Sequence, residues 1–435
     1  MHEGEARCPS LGSVVLASSQ SVTPARQAAF TVLRRVAEQG AYADRALHAE
    51  ARDLVGRDRA FARQLAFGTV QRLNTLDHHI AALARPVHRL DPAVAAALRL
   101  GLFQLLFLDG VPDHAAVTES VELAKSEGRG RGGHRLVNAV LRRAARERPG
   151  LPGDATPADA AIHHSQPRWL VDAWWEQFGP DEARALLAST NRPAELALRA
   201  NTLVTDAASL AGALPVPTRL CAVLPDEGLI VDAPFDAHGH PLFAAGAYQP
   251  QSRASMLVAP ALDPQPGERI LDLCAAPGGK TTHLAARMGD RGTIISVERH
   301  SGRARALVRT AARLGASSVQ VTVADAEQLS FAAEFDRVLV DPPCSGLGTL
   351  QGHPDLRWRM TPEKIEELAA IQSRILERAL GALRPGGTLV YSTCTLTVRE
   401  NEDVLRAAGV QAASLQRTLP HRDGTEGFTI AVVRP

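Results

Sequence analysis

Hydrophobic positions recur along this chain with two different rhythms. From residue 23 to 148 the rhythm is helical. In "DPAVAAALRLGLFQLLFLDG", Asp91 stands as an N-cap and Pro92 takes the first helical position. Val94, Leu98, Leu102 and Leu105 then follow on one face, and Gly110 closes the segment. Asp113 opens a further helix with Val117, Val121 and Ala124 on one side. Several such helices with short polar breaks predict a compact helical bundle. "RERPGLPGDATPADAA", residues 146–161, is rich in Pro, Gly and Asp and reads as a loop or linker. Residues 166–250 mix helix-like stretches ("PRWLVDAWWEQFG", "PDEARALLAST") with strand-like ones ("LALRANTL", "EGLIVDA"), which predicts a small α+β module.

From about residue 265 short apolar runs take over: "RILDLC", "TIISVE", "VQVTVAD", "RVLVD" and "GTLVYSTC". Helical stretches lie between most of them. Near-continuous apolar strands imply a parallel sheet covered on both faces, so this part predicts an α/β, Rossmann-like domain. In such sheets ligands bind beyond the carboxyl ends of the strands. Cys274, Glu298, Asp325, Asp341 and Cys394 all fall at such ends.

Composition adds limits. The chain has 435 residues, enough for two or three domains, and a net charge of +1, which leaves room for a local basic face. Lysine occurs only at 125, 280 and 364, so 45 of the 48 basic residues are Arg, and Lys280 stands out. The five cysteines form no CxxC pair and no cluster with zinc spacing, which predicts free thiols, no metal site and a reducing cytoplasm. No apolar run reaches membrane-spanning length. Residues 1–22 read as a flexible tail.

The stretch after the first strand of the α/β part is "CAAPGGKTTHLA". Gly278 and Gly279 permit a sharp bend and close approach of a ligand, and the helix that follows aims free N–H groups at it. The pattern is neither GxGxxG nor the phosphate-binding GxxxxGK[ST]; taken alone it equally describes a plain strand-to-helix turn. Glu298, roughly 20 residues later at the second strand end, is where an acid binds ribose hydroxyls. Asp325 ends the third strand, in position for an adenine edge. The pair favours an adenosyl cofactor, and the missing phosphate motif favours S-adenosylmethionine.

Two cysteines remain, in "VDPPCSGLG" and "LVYSTCTLTVRENE". A free thiol is only a few per cent thiolate at neutral pH and needs a base or a favourable charge to act. One buried Cys is ordinarily packing. Two at strand ends facing one crevice, beside Asp341, are harder to explain that way.

These motifs, with "LDLCAAPGGKTTHLA", resemble the signatures of the RNA cytosine-C5 methyltransferases of the NOL1/NOP2/Sun family. "RQAAFTVLRRV", "RDRAFARQLAFGTVQR" and "HRLVNAVLRR" look like a NusB-type helical RNA-binding domain, and "PRWLVDAWWEQFG" and "LRANTL" resemble the family's middle segment. That combination is similar to the Sun/RsmB (Fmu) group of bacterial 16S ribosomal RNA methyltransferases. The resemblance covers nearly everything from residue 23. It implies a tail at 1–22, a NusB-like RNA-binding domain at 23–148, a linker at 149–165, a small RNA-binding or junction module at 166–260 and a methyltransferase domain at 261–435. It also implies S-adenosyl-L-methionine as cofactor, 16S rRNA rather than DNA or a membrane as partner, and a monomer. Cys394 would be the nucleophile that adds to C6 of cytosine. Asp341 would hydrogen-bond the base, and Cys344 would assist proton loss at C5 and release. Cys274, Ala275, Ala276, Pro277, Gly278, Gly279, Lys280, Glu298, Asp325 and Asp341 would line the cofactor site. For Lys280 the reading leaves crevice and solvent equally open.

The chain departs from the family pattern at Pro342, where a small residue is usual, and at Ser252, where Asp is common. It departs again at Gln351-Gly352, where relatives often carry two Arg, and at Thr429, where a second Phe is usual. "DPP" resembles the DPPY of amino-methyltransferases, but the two cysteines oppose that chemistry. Arg129, Arg131, Arg135, Arg142 and Arg143 form a basic cluster that would anchor RNA, with a solvated Arg-rich surface as the plain alternative. The same chemistry on tRNA or 23S rRNA, or a non-catalytic RNA-binding assembly factor, stays open as an alternative. Intact thiols count against the last.

Overall fold

The computed structural model describes residues 22–84, 86–127 and 132–435. They divide into two compact units, one up to Gly150 and one from Leu151 onward. The tail expected at 1–22 falls, but for residue 22, outside the described residues, as do Arg129 and Arg131 of the basic cluster.

The first unit is helical: α1 (Pro24–Gln39), α2 (Ala43–Glu50), α3 (Gly56–Gln71), α4 (Leu73–Leu83), α5 (Pro92–Phe107), α6 (Asp113–Glu127) and α7 (Gly133–Glu147). Asp91 caps α5 as expected, accepting from the amides of Ala93 and Val94. The helix ends at Phe107, short of Gly110, because Leu108 is already extended. Helix α5 is buried along most of its length and packs close: a Cβ on Gly68 of α3 would lie 2.0 Å from the Phe103 ring. Buried Arg26 ties three helices, donating to Gln104 Oε1 (2.7 Å) of α5 and Glu119 Oε1 (2.8 Å) of α6. Arg135, Arg142 and Arg143 are exposed on α7.

The second unit holds two sheets. Strands β1 (Ala197–Ala200), β2 (Thr218–Leu220), β3 (Gly228–Val231) and β4 (Tyr248–Pro250) form an antiparallel sheet in the order β2-β3-β1-β4. Part of the stretch read as a loop, 146–161, is helical. Thr156 caps a helix Pro157–His163 by accepting from the Asp159 amide, and Ala160 and Ala161 pack with Leu170 and Trp174. The Thr-Pro start signal and this buried face outweigh the local Pro and Gly content.

The larger sheet contains β5 (Arg269–Leu273), β6 (Thr293–Glu298), β7 (Val319–Val323), β8 (Phe335–Val340), β9 (Leu383–Thr393), β10 (Ser414–Thr418) and β11 (Phe428–Val433). Its order is β10-β11-β9-β8-β5-β6-β7. Strands β5 to β9 run parallel, whereas β10 and β11 close the sheet antiparallel, so it is mixed rather than purely parallel. Consecutive residues of one strand enter opposite cores. Leu271, Val338, Val340 and Leu389 pack on one side with Ile375 and Leu376 of the helix Pro362–Ala382. Ile270, Leu339 and Val390 pack on the other with Leu284 and Ala285 of the helix Gly279–Arg287. Burial on both faces makes the central strands mostly apolar and leaves chemistry largely to their ends. No helix among the described residues is long and apolar enough to cross a membrane.

Candidate active site

The carboxyl ends of the parallel strands bring the expected residues to one edge. Asp341 follows β8 directly and Cys394 follows β9 directly, and these strands are neighbours. The sulfurs of Cys344 and Cys394 lie 3.2 Å apart. Burial and the second sulfur act on the same proton. The Cys344 thiol is held well above the ordinary thiol range, first by its hydrogen bond with Cys394, then by burial, with the Glu400 charge adding to both. Cys344 thus keeps its proton at neutral pH.

Lys280 lies in the crevice, not in solvent. Its Nζ is 2.7 Å from Asp341 Oδ2 and 5.1 Å from the centre of the Phe428 ring. Burial works against the ammonium, but the Asp341 carboxylate outweighs it and raises the lysine pKa. Asp341 Oδ1 accepts from Ser392 Oγ at 3.2 Å, so both carboxylate oxygens are oriented.

The glycine loop is built for a ligand. Cys274 and Gly278 have positive φ values, 65° and 102°, which turn the chain sharply after β5. A Cβ on Gly278 would meet Leu307 at 2.5 Å. The helix Gly279–Arg287 starts without any side-chain cap, which leaves its first amides for an anion. Thr281 Oγ1 donates to Asp272 Oδ2 at 2.6 Å, while Oδ1 of that buried carboxyl has no partner among the described residues. Burial pushes Asp272 up to about 7 and the Cys274 thiol up to about 12. Cys274 is therefore no nucleophile at neutral pH.

Glu298, only 3% exposed at the end of β6, accepts from the His300 amide at 2.8 Å and faces Arg303 at 3.5 Å. Arg303 also donates to the Ala276 carbonyl at 2.6 Å, which links the acid to the loop. Asp325 lies past β7, oriented by the Glu327 amide at 3.1 Å. Ala275 and Ala276 are buried against Leu307. All the expected cofactor residues thus sit at the ends of β5, β6, β7 and β8.

Residues 259–415 match the family described as 16S rRNA methyltransferase RsmB/F. Residues 23–146 match the NusB family, and 166–237 match the ferredoxin-like domain of RsmF/B-like methyltransferases. A Synechocystis protein named probable ribosomal RNA small subunit methyltransferase B is 40% identical over 390 residues, which covers 87% of each chain. The chain belongs to the RsmB/F family of 16S rRNA methyltransferases. The ribosomal RNA small subunit methyltransferase B of Thermus thermophilus is 39% identical over 352 residues, 81% of this chain and 78% of that one. A crystal structure titled PH0851 superposes with a TM-score of 0.81 at 26% identity, over 95% of this chain and 99% of that one.

Membership of this methyltransferase family gives the residues missed in the sequence a context. Buried Glu400 and Asn401, inside the quoted "RENE", join the two cysteine segments. The Glu400 carboxylate accepts from the Ser345 amide (2.7 Å), Ser345 Oγ (2.6 Å), Gln372 Nε2 (3.1 Å), Thr395 Oγ1 (3.2 Å) and Thr397 Oγ1 (2.8 Å). Asn401 receives Thr393 Oγ1 at 2.6 Å and donates to the Thr397 carbonyl at 2.7 Å. Charged residues next to "TLTV" carry a signal only in hindsight, since an exposed turn would read the same.

The departures also find places. Ser252 caps a short helix by accepting from Ser255, the work an Asp would do. Gln351 donates to the Ser189 carbonyl at 2.9 Å, a contact inside the unit. Buried Thr429 donates to the Thr395 carbonyl at 3.3 Å and so ties β11 to the residue after Cys394. Pro342 is buried behind Asp341.

Proposed function

We propose that this chain transfers a methyl group from S-adenosyl-L-methionine to C5 of one cytosine in 16S ribosomal RNA, through a covalent bond from Cys394 to C6. The observation that carries the reading is the 3.2 Å approach of Cys344 and Cys394 beside the oriented carboxylate of Asp341. A merely structural pair would not need a charged group at its side.

The cofactor fits the residues present. The uncapped amides of the helix at Gly279 suit the carboxylate of its methionine part, and Glu298 and Asp325 suit ribose and adenine. When bound, S-adenosyl-L-methionine supplies an electrophilic methyl group for C5. The chain supplies the rest. A cytosine must be unpaired or flipped to present C5 and C6. The Cys394 thiolate adds to C6, which makes C5 nucleophilic. Asp341, held in place by Lys280 and Ser392, accepts from the amino edge of the base, and from N3 once the adduct is protonated there. After methylation the C5 proton passes to solvent, assisted by Cys344, whose own thiol is protonated at rest. The bond between Cys394 sulfur and C6 then breaks, which restores the aromatic base and the free thiolate.

Bisulfite sequencing of 16S rRNA from cells with and without the gene tests this. One protected cytosine should be lost, and restored by the wild type but not by Cys394→Ala. An unchanged 16S pattern would overturn the substrate, and parallel sequencing of tRNA and 23S rRNA would identify a replacement.

A further inference from the structure

We propose that Glu400 is a positioning residue: its carboxylate clamps the Cys344 loop to the Cys394 segment and sets the distance between the two thiols. The proposal deepens the reading above and rests on it for its catalytic part.

Neither cysteine is held by regular structure. Cys344 lies in the irregular stretch after β8, and Cys394 lies one residue beyond β9. The parallel ladder between the strands ends earlier, at Val340 opposite Tyr391. The β8–β9 ladder therefore does not set the distance between the sulfurs, although β11 holds β9 as far as Thr393. Backbone contact between the two segments passes through the Gly348 amide and the Cys394 carbonyl at 3.0 Å, on the far side of the loop. Next to the sulfurs Ser345 Oγ meets Thr395 Oγ1 at 2.7 Å, and Glu400 holds both hydroxyls. It takes the amide and hydroxyl of Ser345, the neighbour of Cys344, and the hydroxyl of Thr395, the neighbour of Cys394. Gln372 completes the bridge by donating both to Glu400 and to the Pro343 carbonyl, at 3.1 Å and 2.9 Å.

A carboxylate suits this task chemically. It has about four acceptor sites and no donor, and here donors surround it on every side. Leucine has nearly the same volume but accepts nothing and so opens the clamp, whereas glutamine could still accept at Oε1 and donate to the three hydroxyl oxygens that meet Oε2. Glu400 is 0% exposed, so water does not replace the lost partner. The charge also helps hold the proton on Cys344.

The test separates thiol geometry from catalysis. Diamide takes two electrons and two protons from a pair of neighbouring thiols, leaving a disulfide and the reduced hydrazine. Its rate of closing Cys344 to Cys394, read by mass spectrometry on the full chain without RNA, reports their approach. Glu400→Leu should keep its circular dichroism spectrum and close the pair at least about 10-fold more slowly. In the methylation assay it should lose about 100-fold in kcat with little change in KM for RNA, and a covalent RNA adduct should accumulate. Glu400→Asp, which keeps the charge, should recover part of both rates. A folded Glu400→Leu protein that closes the disulfide at the wild-type rate overturns the proposal. If Glu400→Leu does not fold, Thr397→Val decides, because the Thr397 hydroxyl reaches the clamp through Glu400. Slower closure supports the clamp, and an unchanged rate overturns it. Rapid closure in a wild type that methylates no RNA would refute the catalytic reading and leave the clamp standing.

Discussion

Lys280 Nζ lies 2.7 Å from Asp341 Oδ2, across 61 residues of chain, and the pair joins the glycine loop to the segment after β8 that carries Cys344. Replacing Lys280 by Met should leave Asp341 without its cation. Removing one partner of a mostly buried pair costs roughly 1–3 kcal/mol. Asp341 raises the lysine pKa, so the folded value lies above the ordinary 10.5. The stabilisation is then fully present below that ordinary value and is lost as pH rises through the folded one. Thermal melts of wild type and Lys280→Met should differ at neutral pH and converge in strong alkali. Equal melts at neutral pH would show that the pair contributes nothing.

The two thiols should fail in different ways. Cys394→Ala should lower methyl transfer by at least about 1000-fold while cofactor binding stays largely intact. Cys344→Ala should trap a protein–RNA adduct that survives denaturing electrophoresis. Finding the adduct with Cys394→Ala instead would exchange the two roles.

Two buried groups push stability in opposite directions with pH. Burial raises Asp272 to about 7, so the folded state holds a proton that the unfolded chain releases near its ordinary 3.8. Its contribution therefore falls as pH rises between about 4 and 7. Burial lowers His283 to about 4, against the pull of Glu227 at 2.5 Å, so its contribution is lost as pH falls from 6.5 to about 4. Asp272→Asn should remove the first slope and raise stability at pH 7 by a few kcal/mol relative to pH 4. Denaturant titrations at the two pH values measure it. An unaltered slope in the variant would show that Asp272 does not carry the proton.

Arg135, Arg142 and Arg143 are exposed on α7, with Arg143 held at 3.0 Å to Glu147. If this face anchors RNA, replacing the three by Ala should weaken binding and flatten its salt dependence. Each lost phosphate contact should change the slope of log K against log salt by about 0.7–0.9. Filter binding at several salt concentrations measures both. A lower affinity with the same slope would exclude a phosphate-anchoring role.

Much of the fold was legible because its signals are local. The Asp91-Pro92 helix start, the apolar strands and the bend at Gly278 each depend on a few adjacent residues and on backbone geometry. The helix at Pro157–His163 was masked by the same means: Pro and Gly nearby spoke for a loop, and only the packing of Ala160 and Ala161 settled the matter. The antiparallel edge was likewise not readable, since β11, buried on both faces, looks alike in either direction and β10 is short, polar and mostly exposed.

By itself the sequence determined which residues stand at strand ends, because a strand of known period must stop where its apolar run stops. It thereby put Cys274, Glu298, Asp325, Asp341 and Cys394 at one edge of a sheet. Only the tertiary structure decided which of them meet. The contact of Cys344 with Cys394 spans 50 residues, that of Glu400 with Ser345 spans 55, and that of Lys280 with Asp341 spans 61. No period in the chain encodes such distances. They follow from strand order, which places β8 between β5 and β9, and from buried polar groups that must find partners once water is excluded.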